Sequence, residues 1–247
     1  MRIDYAAHDS VYRQLKASGK LGWTDAVELR DILTDLETAL GQAWAPRGGR
    51  AIELGCGAGE VALWLAANGW EAHGVDISPT AIEWAKEKAS QRGLHVDFRT
   101  GNVVDLRDYP DGFFDLAVDG LCLHCIVGDD RARMLAAVRR VLRRGGLFHV
   151  RTMCGDPSPE SGPARQFDRS SRCLVVKDVA TRYLGTVESI TGEIEAAGFQ
   201  ILSQHVKPRH RDDDLDDLLI DAAGPGVAAP ELGLPGAPLH GPDAGRR

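Results

Sequence analysis

A glycine-rich loop, AIELGCGAGE at residues 51–60, constrains the fold of this chain more than any other feature. A short apolar run typical of a strand precedes it and a helical pattern follows it, so the chain must turn sharply between two regular elements. Gly55, Gly57 and Gly59 allow that turn and let backbone N–H groups approach a ligand at the start of the helix. The sequence therefore predicts a ligand-binding strand–loop–helix unit.

Short β-rich runs alternate with helical patterns through the middle of the chain, which is typical of a parallel sheet covered by helices. Strands are expected at residues 50–54, 70–76, 95–99, 114–119 and 147–152. Helices are expected at residues 60–68, 79–92, 129–142 and 186–197. Ser78, and Asp129 or Asp130, are predicted to cap two of these helices, and glycines such as Gly145 to end them. Two last strands, 199–206 and 215–221, follow one another across a polar loop, which predicts an antiparallel pair.

The segments around this alternation are predicted to differ from it. Residues 1–48 show helical patterns without a strand and are expected to form a cap, while residues 153–185 are expected to be a lid or insertion on the substrate side. Residues 223–247 are rich in Gly and Pro and are expected to be a disordered tail. The acidic run at 211–217 is expected to be a solvated loop. The prediction is one domain over residues 1–222.

Composition excludes several classes of protein. The chain has 29 Lys and Arg against 36 Asp and Glu, a net charge of -7, so no basic surface for nucleic acid is expected. No apolar stretch is long enough for a membrane span, and the amino terminus does not resemble a signal peptide. Five cysteines, an odd number, are expected to be reduced thiols. We therefore expect a cytoplasmic protein with a small-molecule substrate, and the sequence leaves the oligomeric state open.

An acid at the end of the second strand indicates which ligand the loop binds. Asp76 stands 21 residues beyond Gly55, where a carboxylate accepts hydrogen bonds from the hydroxyls of a ribose. A dinucleotide site requires the spacing G-x-G-x-x-G, whereas this loop reads E-L-G-C-G-A-G. The acid in the loop, Glu53, also disfavours a phosphate. The pattern indicates a nucleoside rather than a dinucleotide.

The loop resembles motif I of the class I S-adenosylmethionine-dependent methyltransferases, and further matches follow in order. They are VDIS at 75–78, GNVVDL at 101–106, FDLAVDG at 114–120 and VLRRGG at 141–146. This resemblance implies an α/β, Rossmann-like sheet of seven strands in the order 3-2-1-4-5-7-6, with the last strand antiparallel. Helices would cover both faces, and an amino-terminal helical lid would fold over the cofactor.

By the same resemblance, the residues that bind S-adenosylmethionine are expected to be Glu53, Gly55, Gly57, Gly59, Asp76, Ile77, Asn102, Val103, Asp119, Leu121, Tyr12 and Trp23. Asp76 would hold the ribose, Ile77 and Val103 would flank the adenine, and Asn102 would reach its amino group. Asn102 departs from the family, which more often has Asp there. Aromatic lid residues such as Tyr12 and Trp23 can attract a sulfonium, although core packing explains them equally well.

The substrate side is less determined. His124, in the segment after the fourth strand, is the candidate catalytic base, with a packed structural histidine as the alternative. Cys122, Cys125 and Cys154 are expected near the methyl donor, where thiolates could hold a metalloid or soft metal, although cysteine is also a common core residue. Arg151 is a candidate for binding an anionic substrate or the cofactor carboxylate. No bound metal of the protein's own is expected.

The sequence thus predicts an enzyme that transfers the methyl group of S-adenosylmethionine to sulfur, oxygen, nitrogen or a metalloid of a small acceptor, by in-line displacement. Three alternatives remain open: a different use of the same cofactor, such as aminocarboxypropyl transfer or cyclisation; a nicotinamide-dependent oxidoreductase; and a non-catalytic module that binds the cofactor.

Overall fold

The computed structural model describes residues 2–208 and 215–225. Its helices are α1 (Ala7–Ala17), α2 (Ala26–Leu40), α3 (Glu60–Ala67), α4 (Pro79–Arg92), α5 (Asp130–Val141) and α6 (Val187–Ala196). Its strands are β1 (Arg2–Ile3), β2 (Arg50–Leu54), β3 (Glu71–Asp76), β4 (Val96–Thr100), β5 (Phe114–Gly120), β6 (Leu142–Cys154), β7 (Phe167–Asp168), β8 (Cys173–Val176), β9 (Val179–Tyr183), β10 (Gln200–Lys207) and β11 (Asp216–Ala223). Short 3-10 helices cover Leu123–Cys125 and Pro163–Gln166.

Seven strands form one sheet in the order β10-β11-β6-β5-β2-β3-β4. Strands β2 to β6 pair in parallel, and β11 is antiparallel to both of its neighbours, β6 and β10. When only these seven strands are numbered along the chain, the order is 3-2-1-4-5-7-6, as predicted. Successive strands are added on one side of β2 up to β4 and on its other side from β5 onward, so the strand order reverses between the parallel neighbours β2 and β5. A ligand crevice is expected at the carboxyl ends of the strands at this point.

The signals at the helix ends have different outcomes. The prediction for Ser78 is confirmed, because its hydroxyl accepts a hydrogen bond from Ala81 N–H at 3.0 Å. The predicted cap at Asp129 or Asp130 is wrong, since neither carboxylate caps α5. Asp130 instead accepts hydrogen bonds from Tyr5 (3.1 Å) and Arg133 (2.7 Å). The predicted helix end at Gly145 is also wrong, because α5 ends at Val141 and β6 begins directly after it.

The amino-terminal segment contains a strand that the sequence does not predict. β1 pairs in parallel with β9 and completes a small second sheet, in the order β1-β9-β8-β7. The other three strands lie within residues 153–185, so the predicted lid or insertion contains regular structure of its own. Two residues are too few to show the alternation of a strand, and the partner lies far away along the chain.

The carboxyl-terminal strand extends further than predicted. β11 includes Ala223, which is buried at 1% exposure, so this residue belongs to the sheet rather than to a tail. Asp217, predicted to lie in a solvated loop, is fully buried beside Arg151. Residues 211–214 of the acidic run lie outside the described residues, as do residues 226–247 of the predicted tail. Within the described part, no helix is long and apolar enough to cross a membrane.

Candidate functional site

The glycine loop leaves β2 and enters α3 beneath two other segments of the chain. Gly55, Gly57 and Gly59 all have positive φ angles, between 50° and 81°, which side chains disfavour. A Cβ atom on Gly55 would lie 2.5 Å from the sulfur of Cys122, and one on Gly57 would overlap the hydroxyl of Tyr12. Glycine is therefore required by the backbone angles and by the close approach of both neighbours.

Two buried carboxylates hold this loop in shape. Asp76, at the end of β3, accepts hydrogen bonds from Gly57 N–H (2.9 Å) and Ser78 N–H (2.8 Å). Glu53 accepts one from Ala62 N–H in the first turn of α3 (2.7 Å). Burial raises the pKa of both carboxyl groups, and these backbone donors partly offset the rise. The predicted ribose acceptor, Asp76, is therefore tied directly to the predicted loop.

A cavity of about 370 Å³ opens at the carboxyl ends of β2, β3 and β5. Thirteen of the predicted site residues line it: Tyr12, Trp23, Glu53, Gly55, Gly57, Asp76, Ile77, Asn102, Val103, Leu121, Cys122, His124 and Cys125. The other four, Gly59, Asp119, Cys154 and Arg151, are not among the lining residues. The cavity runs from the expected nucleoside residues, Asp76 and Asn102, to the expected substrate residues, His124 and Cys125.

Arg151 is held away from the cavity by two acids. Its guanidinium donates to Asp217 on β11 (2.9 Å) and to Asp35 on α2 (2.9 Å), and the residue is only 3% exposed. Lys207 on β10 also reaches Asp35, at 3.3 Å. The sequence suggested Arg151 as a candidate for binding an anionic substrate or the cofactor carboxylate, because a guanidinium pairs well with an anion. Its position instead indicates that it ties α2 to the sheet.

Asp119 lies behind the cavity wall. It is fully buried, accepts a hydrogen bond from Cys122 N–H at 3.0 Å, and has its pKa raised to about 7 by burial. Leu121, on the wall itself, has a φ of 77°, a left-handed conformation that costs a residue with a side chain about 1 kcal/mol or more. Its N–H donates to the Arg151 carbonyl at 2.9 Å. The turn after β5 is therefore held in a strained form next to the glycine loop.

A buried arginine fixes the segment that carries His124. Arg131 on α5 donates to the carbonyls of Leu123 (2.7 Å), the first residue of the 3-10 helix, and Ile126 (3.1 Å), the residue after it. Glu193 on α6 accepts from the same guanidinium at 2.6 Å. His124 itself is 4% exposed and lines the cavity. The sequence did not identify Arg131, although an arginine on the apolar face of a predicted helix is a signal that could have done so.

The cysteines do not gather into one cluster at the cavity. Cys122 and Cys125 line it, whereas Cys154 is 2% exposed and packs in the core. Burial raises the pKa of all three thiols, to about 11 for Cys125 and Cys154, so they are protonated at neutral pH. In the part of the chain that the structure describes, no three His, Cys, Asp or Glu side chains form a group that could hold a metal ion.

The amino-terminal segment covers the nucleoside end of the cavity. Trp23 packs against Tyr12 and His8, with ring centroids 5.5 and 5.8 Å apart. Asp9 on α1 holds this segment against the start of α4, because its carboxylate accepts hydrogen bonds from the Ser78 hydroxyl (2.7 Å) and from Thr80 N–H (3.0 Å). These hydrogen bonds lower the pKa of Asp9. Tyr12 and Trp23 are predicted from the sequence, whereas the contact of Asp9 with the start of α4 is not.

The opposite end of the cavity receives two residues that the sequence analysis did not select. Met153 comes from the end of β6, and Arg182 comes from β9 of the small sheet. Arg182 lies close enough to Cys125 to oppose the rise in the pKa of its thiol. The small sheet thus contributes a positive charge to the expected substrate side.

This sheet order, with a glycine loop after its first strand and an acid at the end of its second, defines a class I S-adenosylmethionine-dependent methyltransferase domain. The family model described as a methyltransferase domain matches residues 52–150, which are 99 of the 247 residues. The cofactor of the family is S-adenosylmethionine.

One curated relative and two solved structures illustrate the likeness. A 2-heptyl-1-hydroxyquinolin-4(1H)-one methyltransferase of Mycobacteroides abscessus is 39% identical over 103 residues, covering 41% of this chain and 45% of that protein. The structure of the 1,6-didemethyltoxoflavin-N1-methyltransferase of Burkholderia thailandensis has a TM-score of 0.67 at 21% identity, covering 92% of this chain and 93% of the other. That of the 4+2 cyclase SpnF has a TM-score of 0.69 at 18% identity, covering 91% and 97%.

The curated relatives and the solved structures cover different shares of the matched proteins. The chain spans less than half the length of the first two curated relatives that it matches, 29% and 45%. The solved structures extend over most of both chains, and at their low identity they show the fold alone. The acceptor and the reaction of this particular protein therefore have to be argued from its own cavity.

Proposed function

We propose that this protein transfers the methyl group of S-adenosylmethionine to a small organic acceptor by in-line displacement. The observation that carries the proposal is one continuous cavity of about 370 Å³. It has the glycine loop and Asp76 at one end, and His124, Cys125 and Arg182 at the other. A donor and an acceptor bound in the same cavity satisfy the first requirement of methyl transfer, which is alignment.

The lining residues suit the cofactor at the nucleoside end. Each oxygen of Asp76 has accepted one backbone hydrogen bond and retains a lone pair for a ribose hydroxyl. The side-chain oxygen of Asn102 accepts from Val104 N–H (2.9 Å) and can accept a second hydrogen bond, from the adenine amino group. Tyr12 and Trp23 place aromatic surface over the loop, where a sulfonium gains about 0.5–2 kcal/mol from cation–π attraction.

Transfer from a sulfonium needs an unprotonated nucleophile and a site that excludes water more than it needs covalent help. His124 is the residue that we assign to accept the proton of the acceptor, since it is buried, lines the cavity and is of the type whose charge changes near neutral pH. Arg131 donates hydrogen bonds to the carbonyls of Leu123 and Ile126 and is the residue that positions His124.

An organic acceptor is favoured over a metalloid or soft metal. Thiolates are the ligands that such a substrate needs. Cys122 and Cys125 line the cavity, whereas Cys154 packs in the core, so the three thiols do not face one site. A net charge of -7 likewise favours a small molecule over nucleic acid. The five cysteines are free thiols, and for this reason we place the protein in the cytoplasm.

Product analysis tests the proposal. The protein is incubated with S-adenosylmethionine and a pooled library of small phenols, carboxylates, amines and thiols, and the nucleoside products are identified by mass. Formation of S-adenosylhomocysteine together with an equal amount of methylated acceptor is expected. Methylthioadenosine in its place would show transfer of the aminocarboxypropyl arm. Cofactor binding without any turnover would indicate a non-catalytic module, and either of these results contradicts the proposal.

A further inference from the structure

The positive charge at the acceptor end of the cavity comes from Arg182. Among the described residues, it is the one Lys or Arg side chain that lines the cavity. It projects from β9, where its backbone pairs with Leu174 of β8. This strand lies beside the 3-10 helix Leu123–Cys125, which carries His124.

Three carboxylates that line the same cavity have partners, whereas one donor of Arg182 has none. Asp76 and Glu53 accept backbone hydrogen bonds, and Glu60 pairs with Lys88 (2.5 Å) and Arg92 (3.0 Å). Arg182 is half-buried, and its buried Nε has no hydrogen-bond partner among the residues that the structure describes. A buried N–H donor without a partner favours a ligand that brings an acceptor.

An ionisable neighbour of Arg182 does not supply a negative charge. Cys125 interacts with Arg182 electrostatically, but burial keeps the pKa of its thiol at about 11, so the sulfur is neutral at pH 7. The guanidinium is a planar group whose parallel N–H donors match the two oxygens of a carboxylate. A ligand that brings a carboxylate to this end of the cavity would satisfy both the charge and the open donor.

We propose that Arg182 binds a carboxylate of the methyl acceptor, so that the substrate is an organic acid. This inference rests on the proposed function, because it places the acceptor at this end of the cavity. In this arrangement the small sheet contributes to substrate selection, because β9 carries the residue that binds the acceptor. The glycine loop and β3 bind the methyl donor. S-adenosylmethionine also has a carboxylate, and the affinity of the R182A variant for S-adenosylhomocysteine shows whether Arg182 binds that group instead.

The experiment measures binding rather than turnover. Protein saturated with S-adenosylhomocysteine is titrated calorimetrically at pH 7.5 with benzoate and phenylacetate, and then with benzamide and phenylacetamide, which have the same shape without the charge. We expect each acid to bind at least tenfold more tightly than its amide. The variant R182A is expected to lose this preference, and R182K to retain part of it. The control R169A removes an exposed arginine outside the cavity and should behave as wild type.

Three results would overturn the inference. The first is a wild-type protein that does not prefer the acids, and the second is an R182A variant that prefers them as strongly as wild type does. The third is a loss of S-adenosylhomocysteine affinity in R182A, which would assign the arginine to the cofactor carboxylate. The titrations are repeated without S-adenosylhomocysteine. If the wild-type protein does not bind that nucleoside at all, the proposed function fails, and the preference for acids is then judged on its own.

Discussion

Asp76 joins the cofactor site to the structure of the glycine loop, and its removal should affect both. Its carboxylate accepts two buried backbone hydrogen bonds, from Gly57 and Ser78. In the variant D76A both N–H groups lose their acceptor, at about 1–3 kcal/mol each, so the free energy of unfolding should fall by about 2–6 kcal/mol. The ribose hydroxyls lose their acceptor as well. We therefore expect the affinity for S-adenosylhomocysteine to fall at least tenfold, about 1.4 kcal/mol.

Calorimetric titration with S-adenosylhomocysteine is the assay, and urea unfolding identifies the conditions in which the variant is folded. A 2′,3′-dideoxy analogue of the ligand separates the two effects of the substitution. Wild-type protein should bind the analogue more weakly than the parent compound, whereas D76A should bind both equally, because the partner of the hydroxyls is absent. The control D97A removes a carboxylate on the neighbouring strand β4 that pairs with Arg99, and should bind as wild type does. Unchanged affinity in folded D76A would refute the assignment.

Three further substitutions test the account elsewhere. Burial raises the pKa of Asp119 from 3.8 to about 7, so the cost of its charge grows as the pH rises between these values. From pH 5 to pH 8, wild type should lose about 2–3 kcal/mol of unfolding free energy relative to D119N, measured in urea; parallel pH profiles would contradict this. D9A removes the hydrogen bonds of Asp9 to Ser78 and Thr80 and should speed the release of S-adenosylhomocysteine several-fold, measured by the change in tryptophan fluorescence. An unchanged rate would show that these hydrogen bonds do not retain the ligand. R151A removes the guanidinium that pairs with the buried carboxylate of Asp217 and should destabilise the fold by about 3–5 kcal/mol; urea unfolding at the same denaturant concentration as wild type would contradict this.

The sheet and the nucleoside end of the site could be predicted because their signals are local. A glycine loop between a strand and a helix, followed by an acid at the end of the next strand, fixes which strand ends meet. Asp76 could thus be selected by its position in the chain, and the structure places it against Gly57. The strand order was expected from the resemblance to the methyltransferase family, and the structure has that order.

Arg182, at the expected acceptor end, and Asp9, at the nucleoside end, could not be predicted, because their contacts involve partners far away in the sequence. Arg182 becomes significant only when β9 packs beside residues 123–125, and Asp9 only when α1 meets the start of α4. Arg151 is a candidate substrate residue by sequence, and in the folded chain it pairs with Asp35 and Asp217. Charge pairing of this kind depends on the tertiary structure, which single-sequence patterns do not contain.

A crystal structure with S-adenosylhomocysteine bound tests the central claim most directly. We expect the ribose hydroxyls to donate hydrogen bonds to the carboxylate of Asp76 and the adenine to lie between Ile77 and Val103. The sulfur should lie between the glycine loop and His124. The open space beyond the sulfur should then end at Arg182. A ligand bound elsewhere, or bound here with its sulfur turned away from His124, would contradict the account.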